Sequence, residues 1–456
     1  MPAGDFQSIE SGLKLAYTKK AIEVLSNEDT PFRRALKKMV PSSNKPKGGI
    51  IQFGARVATP GNLAQTHDSG ALVEPKDQLD LMFTLTPTIF TGSFKIGWKT
   101  RAIANDSATA YNGGELKRRT EDTIADLSKY IEQVYVGTVG NGVLATCNAA
   151  ETGATITLQT PVGSNLLRVN RTVSIRQGTA ATLDTVRDAT SHGSRITALS
   201  TATPSIHSMT LSVAVVTTTV IGDGIIVVPS TTAFPLAGSG ATISSVHTVA
   251  GARTGVMANG LRGLVSNAAV AGLALQGVLR SGNESVTDGQ IRDNGGTLRN
   301  LTESILITAF NNQVRKTGKR ATDIWTNTGQ VEKYIEFVVP DRRVVATPGR
   351  APRYGTGYDD DTLVHYAPGV SAKFNVSYDI IPRELYLLNW STFFHYVAED
   401  MDWWDAPMLK PVPGGGDTNY RASYVANIAS IENIGCDAPA ANTVIRDLRD
   451  PLVGDA

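Results

Sequence analysis

Cysteine is nearly missing from this sequence. Cys147 and Cys436 are its only two cysteines, far apart and in no CxxC pair, which leaves nothing from which to build a disulfide framework or a cysteine zinc site. Charge of one sign is missing too: Lys and Arg exceed Asp and Glu by only +1, so the whole chain has no electrostatic reason to seek nucleic acid or anionic lipid. Long apolar runs are lacking. Residues 211–228 are broken by threonines and Asp223, and 268–279 are too short to span, so no membrane segment is expected. The opening MPAGDFQSIE carries acids and no apolar core, so no secretion signal is expected either.

Motifs of catalysis are equally scarce. No two of the six histidines (His67, His192, His207, His247, His365, His395) lie within ten residues of each other, and no HExxH or GxSxG occurs. Thr317-Gly318-Lys319-Arg320 lacks the upstream glycine and the Ser/Thr of a phosphate loop, so Gly318 reads as a helix C-cap. Asp359-Asp360-Asp361 lacks the spacing of a calcium loop and reads as solvated. Trp390, Tyr396, Trp403 and Trp404 form either a stacking platform or, as aromatics beside strands more often do, core and subunit contacts. No catalytic residue, cofactor or metal ligand is expected, and the chain does not read as an enzyme.

What is abundant is pattern. With 456 residues the chain exceeds one core, and its 43 glycines point to many turns. Residues 8–25 carry a loose helical pattern in an arm, 1–48, that bears nine basic residues against five acids. Next, Ile51, Phe53, Ala55 and Val57 alternate, and after a polar stretch so do Leu79, Leu81, Phe83 and Leu85. This predicts a long hairpin with a large tip loop. After Thr86-Pro87-Thr88 the apolar set moves to Phe90, Phe94, Ile96 and Trp98, implying a bend or bulge. Such a hairpin either joins a sheet of its own domain or needs a neighbouring molecule to cover it. On the second alternative Ile51, Phe53, Val57, Leu79, Leu81, Phe83 and Leu85 are the candidate inter-subunit contacts.

Residues 112–136 predict the longest helix, with Leu116, Ile124, Leu127, Ile131 and Val134 on one face. Residues 153–228 hold short alternating runs, as in a small β-barrel or sandwich inserted into the chain. Residues 229–298 give no secure pattern. Capping-box spacings at Asn300–Glu303 and Asn327–Gln330 open two helices around a strand at 321–326, and the tail from 374 is mostly β.

In this order the segments resemble the tailed-phage major capsid family of Hong Kong 97-type fold. Asp29-Thr30-Pro31-Phe32 resembles the motif that follows the family's N-terminal arm, and 49–100 is similar to its extended loop. ELKRRTEDTIADLSKYIEQVYVG, with its Ile131-Glu132 pair, resembles the spine helix; GKRATDIWTNTGQVEKYI resembles the axial domain; YRASYVANIASIENIGCDAPAANTVIRDL resembles the returning peripheral strand. The resemblance implies an α+β chain divided into an N-terminal arm (1–48), extended hairpin loop (49–103), peripheral domain with spine helix (104–150), β-rich insertion (151–230), axial domain (231–380) and peripheral return (381–456). It further implies a shell of hexamers and pentamers in the virion, assembled in the host cytoplasm around double-stranded DNA without sequence-specific binding. Portal and scaffolding proteins are the other implied partners, and no membrane is. Some relatives crosslink through lysine and asparagine; Lys76, Lys95 and Lys99 lie in the hairpin region, but no crosslink is expected here. The competing readings are an encapsulin-like nanocompartment shell and a β-rich viral tail protein or adhesin.

Overall fold

The computed structural model describes residues 30–36, 51–58, 79–97, 111–140, 142–176, 194–203, 206–215, 218–221, 223–227, 258–267, 274–338, 364–367, 370–403, 410–413 and 420–454. The expected arm helix over 8–25, the hairpin tip and Asp359–Asp361 lie outside them. The described chain begins with a short helix, α1 (Pro31–Leu36), in which Pro31 occupies the first position, where a missing N–H costs nothing.

Strands β1 (Ile51–Ala58) and β2 (Leu79–Leu85) pair antiparallel, with Ile51 opposite Leu85, Phe53 opposite Phe83 and Ala55 opposite Leu81. The predicted alternation therefore sets the register, since it places both apolar rows on one face. A bulge between Arg56 and Ala58 pairs Leu79 with Ala58 and leaves Val57 out of the ladder. The face change at Thr86–Thr88 is larger than a bulge. The chain leaves this two-stranded sheet, and β3 (Thr88–Gly97) pairs instead with β19 (Tyr420–Cys436).

The predicted long helix is present as α2 (Tyr111–Gly137). The β-rich island follows as β4 (Val143–Thr146), β5 (Gly153–Leu158), β6 (Thr172–Arg176), β7 (Ser194–Thr203), β8 (Ile206–Val215) and β9 (Gly224–Val227), in the order β4-β9-β6-β7-β8-β5. Its two ends meet. Asn148 N–H donates to Thr157 O at 2.9 Å, Gln159 N–H donates to Thr146 O at 2.8 Å, and Cys147 bridges Leu158. The sheet thus closes on itself around Leu144, Ile156, Leu158, Val173, Ile175, Ile196, Met209, Leu211 and Ile225, all buried, as a barrel.

The stretch that gave no pattern contains helix α3 (Leu261–Leu264), a tight hairpin of β10 (Ala274–Leu275) and β11 (Val278–Leu279), helix α4 (Glu284–Thr287) and β12 (Gln290–Arg292). Gln276 and Gly277, with φ of 47° and 83°, form the hairpin's two-residue turn. Helix α5 (Glu303–Thr317) starts two residues later than the capping spacing indicated: Thr302, not Asn300, is its N-cap and accepts from Ile305 N–H. Gly318 ends it in the left-handed conformation, as predicted. After β13 (Asp323–Thr326), Asn327 Oδ1 accepts from Gln330 N–H at 3.0 Å and opens α6 (Thr328–Val338).

The remaining strands are β14 (Val364–Ala367), β15 (Val370–Val376), β16 (Leu385–Leu388), β17 (Phe393–Trp403), β18 (Lys410–Pro413), β19 and β20 (Thr443–Ile445). Six of the strands form a mixed sheet, β12-β20-β16-β13-β15-β14, against which Leu306, Ala309 and Phe310 of α5 and Tyr334 of α6 are buried with Ile324, Phe374, Leu385, Leu387 and Ile445.

The chain divides into two compact units. The first comprises residues 1–30, 89–130 and 399–431; the second comprises 31–88, 131–398 and 432–456. In the first, Phe90 meets Tyr130 edge-on at 6.0 Å, Phe94 meets Trp403 at 6.1 Å, and Gly92 lies so near α2 that a Cβ there would stand 2.9 Å from the Thr123 methyl. The second holds the barrel, the six-stranded sheet and the hairpin.

Candidate functional site

No group of three or more His, Cys, Asp or Glu side chains placed to hold a metal occurs among the described residues, and no described helix is long and apolar enough to cross a membrane. Two features of the second unit carry the functional question: the β1–β2 hairpin, and the polar cluster that fastens α1.

At its base the hairpin is covered by its own chain. Phe53 stacks on Phe83 at 5.4 Å and meets Phe394 of β17 edge-on at 4.6 Å. Thr84 donates its N–H to Gln276 O at 2.8 Å, and its hydroxyl donates to the same oxygen at 3.2 Å. Gly277 must lack a side chain, because a Cβ there would stand 2.4 Å from the Thr84 hydroxyl and its φ is positive. Asn433 Nδ2 donates to Thr86 O at 2.6 Å. The tight turn after β10 therefore clamps the outer edge of β2 where the hairpin joins the body.

The candidate contacts divide accordingly. Phe83 and Leu85 are fully buried within this chain, so neither has surface left for a neighbour; Phe394 and the Gln276 turn have taken the place assigned to another subunit. Ile51, Phe53 and Leu81 are half-buried. Val57 and Leu79 lie in the strands, with side chains outside the described residues. Met82, which the alternation passes over because it is out of phase with the apolar row, projects from the opposite face and is 58% exposed.

The second feature joins residues about a hundred positions apart. The buried Glu132 carboxylate, on α2, accepts from the backbone N–H of Phe32 at 3.1 Å and of Arg33 at 2.6 Å, and from the Ser377 hydroxyl at 3.0 Å. It satisfies first-turn donors that α1 cannot pair internally. Arg33 reaches the buried Glu432 at 2.8 Å, and His395 Nε2 lies 2.7 Å from the other oxygen of that carboxylate. Phe32 packs edge-on against Trp325 at 5.1 Å and lies 5.6 Å from Trp390. Trp390 is thus core packing, the second of the two readings open to it, and Trp403 is likewise packed, on Phe94.

The two carboxylates differ electrostatically. Burial, with the Asp379 charge adding to it, raises Glu132 to about 7 against the lowering effect of its backbone donors. Burial also works to raise Glu432, but the His395 hydrogen bond and the Arg33 charge outweigh it and bring the group down to about 2. In the sequence Asp29–Phe32 and Ile131-Glu132 stand out only as separate motifs. The one local sign of their meeting is an acid inside the apolar run Tyr130–Val136.

No protein-family model matches the chain, and no curated protein matches it in sequence. Among solved structures it is similar to the cyanophage A-1(L) capsid asymmetric unit, at 12% identity and a TM-score of 0.47 over 94% of this chain and 98% of that one. It is also similar to the capsid of a native GTA particle, at 8% identity and a TM-score of 0.40 over 94% and 93%. A third is the holo-SrpI encapsulin complex from Synechococcus elongatus, at 7% identity and a TM-score of 0.38 over 96% and 94%.

Proposed function

We propose that this chain is the major capsid protein of a tailed virus, of Hong Kong 97-type fold, whose copies join as hexamers and pentamers into an icosahedral shell around double-stranded DNA. It acts by association and not by catalysis. The barrel at 143–227 is the inserted domain of that reading, α2 its spine, and the six-stranded sheet with α5 and α6 part of its axial domain.

The observation that carries the reading is the hairpin. Its base is clamped by Phe394 and Gln276, yet beyond Thr84 neither β1 nor β2 pairs with a third strand among the described residues, and Met82 is largely exposed. A two-stranded ladder is marginal in water, and an unpaired strand edge is a template for another chain. A second copy supplies what is missing. Each hairpin, fixed at its root to one body, lies across the next, with Ile51, Phe53, Leu81 and Met82 as the described contacts and Val57 and Leu79 further out. Such head-to-tail contacts close into rings, and each is strengthened by the others that hold the same subunit. The basic arm, 1–48, faces a scaffold, DNA or neighbouring copies.

Electron microscopy of the purified full-length chain tests the reading. Rings of five and six and closed shells are expected, and double-stranded DNA is expected inside shells from infected cells. A chain that stays monomeric at every concentration, or that forms fibres, overturns it.

A further inference from the structure

Apart from the hairpin and the α1 cluster, the second unit contains an open cavity of about 700 Å³, lined by Asn267, Glu284, Asp288, Gly289, Gln290, Ile291, Arg292, Asn312, Arg315 and Lys316. Three cations converge on it from two elements: Arg292 from β12, and Arg315 and Lys316 from the last turn of α5. None of the three side chains has a hydrogen-bond or ion-pair partner among the described residues. The position of Arg315 and Lys316 also suits the negative end of α5, but that cannot account for Arg292.

Of the two acids at the cavity, Asp288 is balanced by another cation and Glu284, held ionised by a neutral backbone donor, offsets one of the three charges, which leaves an excess of positive charge. Asp288 is paired with the buried Arg280 at 2.8 Å, and the Glu284 carboxylate accepts from Gly282 N–H at 3.0 Å. Gln290 is committed to Ala440 O. Asn267 is not committed: the residue lines the cavity, and its buried Oδ1 has no hydrogen-bond partner among the described residues. A buried acceptor left unpaired is costly and needs a donor.

We propose that this cavity binds a phosphate group, with Arg292, Arg315 and Lys316 contacting its anionic oxygens and Asn267 accepting from a P–OH or a neighbouring hydroxyl or amine of the same ligand. Guanidinium forks match phosphate geometry, and several cations acting together compensate for the hydration that a phosphate loses on binding. The phosphate comes either free from solution or from a nucleic-acid backbone. The site concerns the unassembled chain, so it stands or falls apart from the shell reading.

The test uses full-length, unassembled protein and two probes, inorganic phosphate followed by phosphorus NMR and a fluorescent single-stranded oligonucleotide followed by anisotropy. Binding of either probe is expected, weakened at least tenfold in the triple variant R292Q/R315Q/K316Q. For the oligonucleotide the salt dependence should become shallower by about 0.7 in log–log slope for each phosphate that the variant no longer neutralises. Phosphate binding alone assigns the site to free phosphate, and oligonucleotide binding alone assigns it to the backbone. Because these side chains pair with nothing among the described residues, the variant is expected to keep its circular dichroism, with its unfolding midpoint lowered only by the charges lost from the last turn of α5. Three outcomes overturn the proposal: neither probe binds, the folded triple variant binds as tightly as the parent, or a polyaspartate peptide binds the same cations more tightly than either probe.

Discussion

Glu132 and Glu432 sit in one buried cluster and answer pH in opposite directions. Because Glu132 is raised to about 7 from 4.5, the unfolded chain gives up its proton first as pH rises, and stability falls between about 4.5 and about 7. Glu432, lowered to about 2, contributes stability that is present above about 4.5 and lost as pH falls through about 2. Urea midpoints measured across this range should show both slopes, and E132Q should remove the neutral one while leaving the acid one. E132A removes the acceptor of two buried backbone donors and a hydroxyl, and should cost about 3 kcal/mol. The same variant should open the chain to trypsin at Arg33 and Arg34, which a limited-digestion time course would show.

At the scale of elements, the sequence is legible wherever one face of an element has to be apolar. The alternation of Ile51, Phe53 and Ala55 against that of Leu85, Phe83 and Leu81 is enough to set a register, and the threes and fours of 112–136 locate α2 to within a residue at each end. Caps are readable at Asn327 and Gly318 but two residues out at Thr302, since Asn300 has Glu303 at the capping-box spacing while Thr302, which caps through its own hydroxyl, has Ile305 there. What covers an apolar row is not legible. That Phe394 and Gln276, hundreds of residues downstream, clamp the hairpin root depends on a tertiary return that no local pattern encodes, and the Gln276-Gly277 turn lies in a stretch without periodicity. The Glu132 cluster escapes for the same reason, its partners being spread over Phe32, Arg33 and Ser377. This clamp is itself testable. G277V places a β-branched residue at a φ of 83° against Thr84 and should lower stability by about 2 kcal/mol, with the faster amide exchange concentrated in β2 and β10.

For the molecule as a whole, the proposed reading gives one hairpin two separate functions, anchoring and association, which mutation should separate. M82D puts a charge on a residue that is 58% exposed, so the monomer's unfolding midpoint should move little. If the outer face joins copies, rings and shells should be abolished, which sedimentation velocity would show as a shift to slow species. F83D should instead prevent folding, because it buries an unpaired carboxylate beside Phe53.

The closed barrel carries a consequence of another kind. Its first and last strands are hydrogen-bonded neighbours, Val143 lying opposite Ile226, so the polypeptide arrives and departs within the width of one ladder rung, about 5 Å. Besides this narrow doorway, the barrel touches α2 at two points, Arg171 Nη1 donating to Gln133 Oε1 and Leu166 packing against Gly137. On the proposed shell reading, a foreign domain whose own termini lie side by side, spliced in place of Val143–Val227 with those two contacts replaced, would be carried on every subunit.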